Sequence, residues 1–320
     1  MSDQYYKEAL RLAQKEARAC AARGESPYLP ALDEVISGES YTACESLGLI
    51  QVPAELIVGT KSAGRTTAFA RNYMPLLEEK SEFAAKWCTL CSAHLQEGIR
   101  DPIKAYEYMN RFYVEEGNKR VSVLKFFDAI SIAAEVKRIL PQRNGDPAVE
   151  LYYEFVDFYK CSKLLCIEFS KPGGYGELQR LMGKEPDEVW SQEERSRFTT
   201  TYHYFRQVYE ELGGNKLPTT VGDAMLAFMK VYGYQGLRVK TPSEMRHAVS
   251  KVWEEITLQQ EETPIDVKLT PEEAKKKSLL SIMLSGGQER ELKVGFVHDK
   301  NPVLSGWTYA HELGRAYPLR

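Results

Sequence analysis

The apolar residues change their period near residue 146, and that break constrains the fold more than any single motif. Before it, short apolar runs bounded by glycine and proline read as strands, at residues 49–58, 103–109, 111–115 and 134–140. Helical spacing alternates with them: over 3–24, over a long zone from 66 to 96 with Pro75 as a break, and over 118–127. After it, residues 151–159, 192–212, 220–232 and 243–256 carry aliphatic and aromatic residues at helical spacing. One interruption, Leu164-Leu-Cys-Ile-Glu-Phe before a Pro-Gly-Gly stretch, reads as a strand and a turn. Residues 259–290 are charged and poor in aromatics, as in a linker. Residues 292–298 then read as an opening strand, 299–306 as a loop, and Trp307 begins a helix. One strand and one helix cannot form a core alone, so this last piece reads as the start of a truncated domain.

The expected class is therefore α+β. Its parts are an N-terminal helical segment (1–46), a small α+β domain (47–145), a mostly helical module (146–258), the linker, and the first β-loop-α of an α/β domain (291–320). With 320 residues, 43% of them hydrophobic, the chain has enough apolar surface for a core. A formal net charge of -3 gives no broad basic stripe, so extended nucleic-acid binding is not implied, though a local basic pocket is compatible with it. No apolar run approaches the roughly 18–20 residues of a membrane span, and the start Met-Ser-Asp-Gln-Tyr-Tyr is not that of a signal peptide. The expectation is a cytoplasmic protein without a membrane span. Six cysteines stand at 20, 44, 88, 91, 161 and 166. Cys88 and Cys91 share a helical face near His94, but a closed zinc site needs a fourth ligand, so these read as reduced thiols and no metal is assigned.

Two glycine turns invite a phosphate. Gly59-Thr-Lys-Ser-Ala-Gly64-Arg65-Thr66 has P-loop spacing, except that Arg65 stands where the lysine belongs. A P-loop domain needs further parallel strands, whereas the downstream chain turns largely helical, which favours a glycine-rich turn with an exposed arginine. The second turn, Tyr113-Val-Glu-Glu-Gly117-Asn118-Lys119-Arg120, ends a strand and opens a helix with two cations in its first turn. Cations there oppose the helix dipole unless an anion joins them. An anion site at Gly117, Asn118, Lys119 and Arg120, with Arg65 approaching from the other side, is the favoured reading over a solvated helix start. The Tyr/Phe-rich helices read as core rather than as base-stacking platforms, and His203 reads as a packed histidine. No catalytic constellation emerges.

The order of these parts resembles the ParB/sulfiredoxin-like N-terminal domain. It runs from a strand with Val52-Pro and Leu56-Ile-Val to the Arg65 loop, then His94-Leu-Gln-Glu-Gly98-Ile-Arg-Asp-Pro102-Ile103, then Gly117-Asn-Lys-Arg120. The last box is similar to the family's phosphate-contacting glycine-arginine box. Asn118 occupies the place of the sulfiredoxin cysteine, which argues against reductase chemistry. No asparagine-rich second phosphate motif follows, which argues against nucleoside triphosphate hydrolysis and nuclease activity. The C-terminal piece, Leu292-Lys-Val-Gly-Phe-Val, Asp299 and Ser305-Gly-Trp-Thr-Tyr-Ala-His-Glu-Leu-Gly, resembles the start of basic-membrane-protein (BMP) family substrate-binding domains. That resemblance implies Asp299 as a polar anchor, and Trp307 either as a stacking face for a nucleoside or as a packing residue.

Together these readings imply a binding protein rather than an enzyme. A ParB-like domain would hold a nucleotide or other phosphate ligand and be fused to a BMP-type module, with ABC-transporter components as partners. The alternative is a ParB-like DNA-associated nuclease or nucleotide-dependent regulator.

Overall fold

The computed structural model describes residues 2–37, 41–238 and 241–258. Asp299, Trp307, the linker and the expected BMP-type strand and helix lie outside these residues. The chain divides into two compact units, Met1–Cys166 with Lys171–Tyr175, and Ile167–Ser170 with Gly176–Arg320. The first takes in the N-terminal segment and the helix following the sheet.

The first unit is built on five strands: β1 (Tyr41–Pro53), β2 (Ile57–Thr60), β3 (Ile103–Tyr108), β4 (Arg111–Glu116) and β5 (Ser131–Pro141). They form one mixed sheet in the order β1-β5-β3-β4-β2, with β5–β3 and β4–β2 parallel and the other two pairs antiparallel. The expected strand at 49–58 is two strands, because residues 54–56 turn through one 3-10 step that carries the chain from one sheet edge to the other. β3 and β4 meet in a two-residue hairpin in which Met109 and Asn110 both have positive φ, 52° and 56°, the geometry of a type I′ turn. Alternation sets the buried face. Ile103, Ala105 and Glu107 of β3, and Ile132, Ala134, Val136 and Arg138 of β5, are all buried, while Lys104, Glu135 and Lys137 are exposed.

Five helices belong to this unit: α1 (Ser2–Ala22), α2 (Leu32–Val35), α3 (Glu82–Glu97), α4 (Asn118–Phe126) and α5 (Pro147–Ser162). On α1, Tyr6, Ala9 and Ala13 repeat at helical spacing and pack into one core with Trp87 and Cys91 of α3 and Val123 of α4. The Tyr6 and Trp87 rings meet edge to face at 5.5 Å, and Trp87 Nε1 donates to Ser122 Oγ at 2.9 Å. The N-terminal segment is thus part of the sheet unit's core. The expected helical zone from 66 to 96 begins only at Glu82, where Ser81 caps α3 by accepting from the Ala84 N–H. Upstream, the Asn72 side chain accepts from the Met74 N–H at 3.0 Å and Tyr73 takes φ 68°, so the chain folds back on itself at Phe69–Pro75 instead of winding.

The second unit is helical among the described residues: α6 (Gly174–Leu181, its first two residues counted with the first unit), α7 (Gln192–Glu211), α8 (Val221–Arg238), α9 (Pro242–Lys251) and α10 (Trp253–Leu258). Ser191 with Glu194, and Thr241 with Glu244, form capping boxes that start α7 and α9. Phe198, Tyr202, Phe205 and Tyr209 of α7 are buried, and the Phe205 ring meets Phe228 of α8 at 5.6 Å. That aromatic stripe is core. The expected strand at 164–169 does not form. The Glu168 carbonyl accepts from Thr220 Oγ1 at 2.8 Å and the Ser170 N–H donates to the Asp223 carboxylate, so side chains rather than a neighbouring strand satisfy this backbone. No helix among the described residues is long and apolar enough to cross a membrane.

Candidate functional site

Two loop-to-helix transitions lie side by side because β2 and β4 are parallel neighbours, with Thr60 opposite Val114. β4 runs into Gly117, whose φ of 106° and ψ of 17° are left-handed, and α4 starts at the next residue. A Cβ at Gly117 would stand 2.7 Å from Ile103 Cγ2 and 3.1 Å from Arg120 Nε, so the turn admits only glycine. Glycine also brings no side chain to cap α4, which leaves the first-turn N–H groups facing outward. β2 runs into a 3-10 helix over Ala63–Ala68, not into an α-helix, and Arg65 on it is exposed. Gly59, the first glycine of the P-loop spacing, is a packing residue whose added Cβ would lie 2.4 Å from the Pro30 carbonyl. This is a glycine turn and not a P-loop.

Asn118 ties the two transitions together. Its Nδ2 donates to Thr60 Oγ1 at 3.4 Å, and its Oδ1 lies 3.4 Å from the Tyr73 hydroxyl, which donates to the Gly59 carbonyl. Arg120 lies against the Gly117 turn and is held by the protein itself. Its Nη1 donates to the Asp101 and Pro102 carbonyls at 3.0 and 2.7 Å, and its Nη2 lies 3.7 Å from Glu116. Its guanidinium clamps the loop before β3 onto the start of α4.

Lys119 and Arg65 remain as the cations at this turn. Lys119 Nζ lies 4.5 Å over the Phe83 ring of α3, and burial, followed by the Arg65 and Lys86 charges, holds its amine below the usual lysine value. Glu82 offsets this only in part, since its carboxylate is bonded to Lys86. Neither Lys119 nor Arg65 is ion-paired among the described residues. Lys86 and Phe83 escaped sequence reasoning, because helical spacing over 82–96 does not say which face of α3 meets α4. The arrangement is two cations from different elements, crowded where the α4 dipole already disfavours positive charge.

The cysteines near this region are free thiols. Burial pushes the Cys88 thiol up to about 11, with a hydrogen bond to Asp3 adding to the rise, and burial also raises Cys91. His94 stacks against Phe127 at 5.1 Å. Among the described residues, no group of three or more His, Cys, Asp and Glu side chains is placed to hold a metal ion. No protein-family model matches this sequence, and no curated protein matches it.

Proposed function

We propose that this chain is a ligand-binding protein whose sheet unit takes the phosphate group of a nucleotide or other phosphorylated small molecule at the start of α4. The observation that carries the reading is the crowding of Lys119 and Arg65 beside an uncapped helix N-terminus, with no carboxylate paired to either. Like charges that raise one another's cost are relieved by an anion, and phosphate offers acceptor oxygens to an arginine fork, an ammonium and backbone N–H groups together. Asn118 and Arg120 serve as positioning residues that hold the turn. The order of strand, arginine turn, helix, hairpin, glycine turn and helix supports a ParB/sulfiredoxin-like reading of residues 47–145. On this reading the helical unit joins that domain to a BMP-type solute-binding module that works with ABC-transporter components.

The test is calorimetric titration of the full chain with ATP and with pyrophosphate, on wild type and on the Lys119→Ala and Arg65→Ala variants. A charge-assisted contact contributes about 1.5–3 kcal/mol, so each variant is expected to bind roughly 10- to 100-fold more weakly. No heat with either ligand, or wild-type affinity in both variants, overturns the assignment.

A further inference from the structure

The opposite end of α4 borders an open cleft of about 600 Å³ that the anion site does not use. Small-molecule sites span roughly 300–1,000 Å³ and are lined mostly by apolar side chains with a few polar groups. Leu12 of α1, Ala54 in the turn after β1, Met74 in the fold-back loop and Phe126 of α4 give this cleft apolar walls. Leu12 is 42% exposed, and Ile130, which follows the lining residue Ala129, is 84% exposed. Single exposed apolar residues are ordinary, but these two lie on and beside one concave surface. The walls are fixed to one another. The Asn72 side chain donates to the Leu12 carbonyl at 3.4 Å and accepts from the Met74 N–H at 3.0 Å, and the Ala54 N–H donates to the Ile130 carbonyl at 2.9 Å.

The charge on these walls is mostly acidic. Glu8, Glu55 and Asp128 line the cleft, and the exposed Glu8 and Asp128 carboxylates make no ion pair or side-chain hydrogen bond among the described residues. The one cationic lining residue, Lys125, has its amine engaged elsewhere. Its Nζ donates to the Ile57 carbonyl at 2.7 Å and lies 5.1 Å from the centre of the Tyr73 ring, and neither Ile57 nor Tyr73 lines the cleft.

We infer that this cleft is a second ligand site, for a small organic cation with an apolar body, of which a primary alkylammonium is the simplest member. The alkyl chain covers the apolar surface of Leu12, Met74 and Phe126, and the ammonium donates to the carboxylates beside them. Neither half of such a ligand suffices alone. An inorganic cation leaves the apolar walls in water, and an alkyl carboxylate brings a like charge against Glu8, Glu55 and Asp128.

The experiment titrates the full chain with propylammonium, hexylammonium and hexanoate at about pH 7, where an alkylamine is protonated as a lysine is. The signal followed is the methyl resonance of Met74, which lines the cleft. Hexylammonium is expected to shift that resonance saturably. Each buried methylene contributes about 4-fold in affinity, so hexylammonium should bind about 10-fold or more tightly than propylammonium. Hexanoate should not shift it. The double variant Glu8→Gln, Asp128→Asn should bind hexylammonium about 10-fold more weakly, through the loss of two charge-assisted contacts. Both positions are exposed, and asparagine tolerates the positive φ of 54° at residue 128, so the variant is expected to fold. No saturable shift with hexylammonium overturns the proposal, as does equal binding of hexanoate, an affinity independent of chain length, or wild-type affinity in the double variant. The first three readouts use the wild-type protein, and all are independent of phosphate binding at the other end of the helix.

Discussion

Glu107 on β3 stands opposite Arg138 on β5 in the parallel register, and the two form an ion pair that is 0% and 1% exposed. The Tyr152 hydroxyl of α5 donates to the same carboxylate, and the Asn110 N–H donates to Glu107 Oε1 at 2.7 Å. The guanidinium lies 4.7 Å from the Tyr159 ring centre and 5.5 Å from that of Phe155. This network joins hairpin, central strand and α5, which is why α5 belongs with the sheet rather than with the helices that follow.

Removing one member leaves a buried charge without its partner, whereas removing both leaves an apolar gap. Glu107→Ala is therefore expected to destabilise the first unit by about 3–5 kcal/mol, and Glu107→Leu with Arg138→Met by clearly less. Urea unfolding followed by far-ultraviolet circular dichroism measures both. A loss under about 1 kcal/mol in the single variant would mean that the pair contributes nothing net.

How much of this was legible beforehand depended on whether the deciding partner was local. The turn at Gly117 was, because strand, glycine and helix are contiguous in sequence, and α4 and β3–β5 fall within a few residues of their expected places. The role of Arg120 was not. Its partners are main-chain carbonyls of Asp101 and Pro102, and a carbonyl leaves no mark in residue type. The fold-back at Phe69–Pro75 was hidden because Asn72 and Tyr73 break a helical pattern that their neighbours continue. Residues 164–169 have the composition of a strand but pair with no strand among the described residues, and sheet pairing is a tertiary property that composition does not encode.

Glycines of the two turns should respond oppositely to alanine. Gly117→Ala places a Cβ in a left-handed position and 2.7 Å from Ile103 Cγ2, which should cost about 2–4 kcal/mol and abolish phosphate binding. Gly64 has no atom within 4 Å of an added Cβ, so Gly64→Ala should stay within about 0.5 kcal/mol of wild type and bind normally. Thermal unfolding and titration of both variants check this. Loss of binding in Gly64→Ala alone would restore the P-loop reading.

Thiol reactivity should follow burial and proton affinity. Cys44 is exposed on β1 and is expected to react first with a chromogenic disulfide at pH 8. Cys88, with its thiol raised to about 11, and buried Cys91 should lag by at least 10-fold. All six should titrate as free thiols once the chain is denatured. Fast reaction at Cys88 would contradict the packing of α1 on α3.

Lys125 gives stability a defined pH slope. Its folded value of about 8 lies below the roughly 10.4 of an unfolded lysine, so between these limits the unfolded chain binds the extra proton. Stability attributable to this group should rise as pH climbs from about 8 to about 10.5, by up to about 3 kcal/mol in total, and should be flat below that window. Subtracting the curve of Lys125→Met isolates the effect in urea titrations. A difference curve that stays flat through this range would place the amine in water.

Phosphate binding should carry the signature of Lys119. Burial and the neighbouring Arg65 and Lys86 charges hold its amine below the usual lysine value, so it loses its proton earlier than other lysines as pH rises. Only the protonated amine attracts the anion, and a bound phosphate raises its proton affinity, so binding near its titration takes up a proton. Affinity for pyrophosphate is thus expected to start falling at a lower pH than the titration of an ordinary lysine would give, with protons absorbed from the buffer. Lys119→Arg, which stays charged throughout, should lose this part of the pH dependence. Titrations in two buffers of different ionisation enthalpy report both affinity and proton uptake. A flat wild-type profile, or a slope that persists in Lys119→Arg, would show that the anion is held elsewhere.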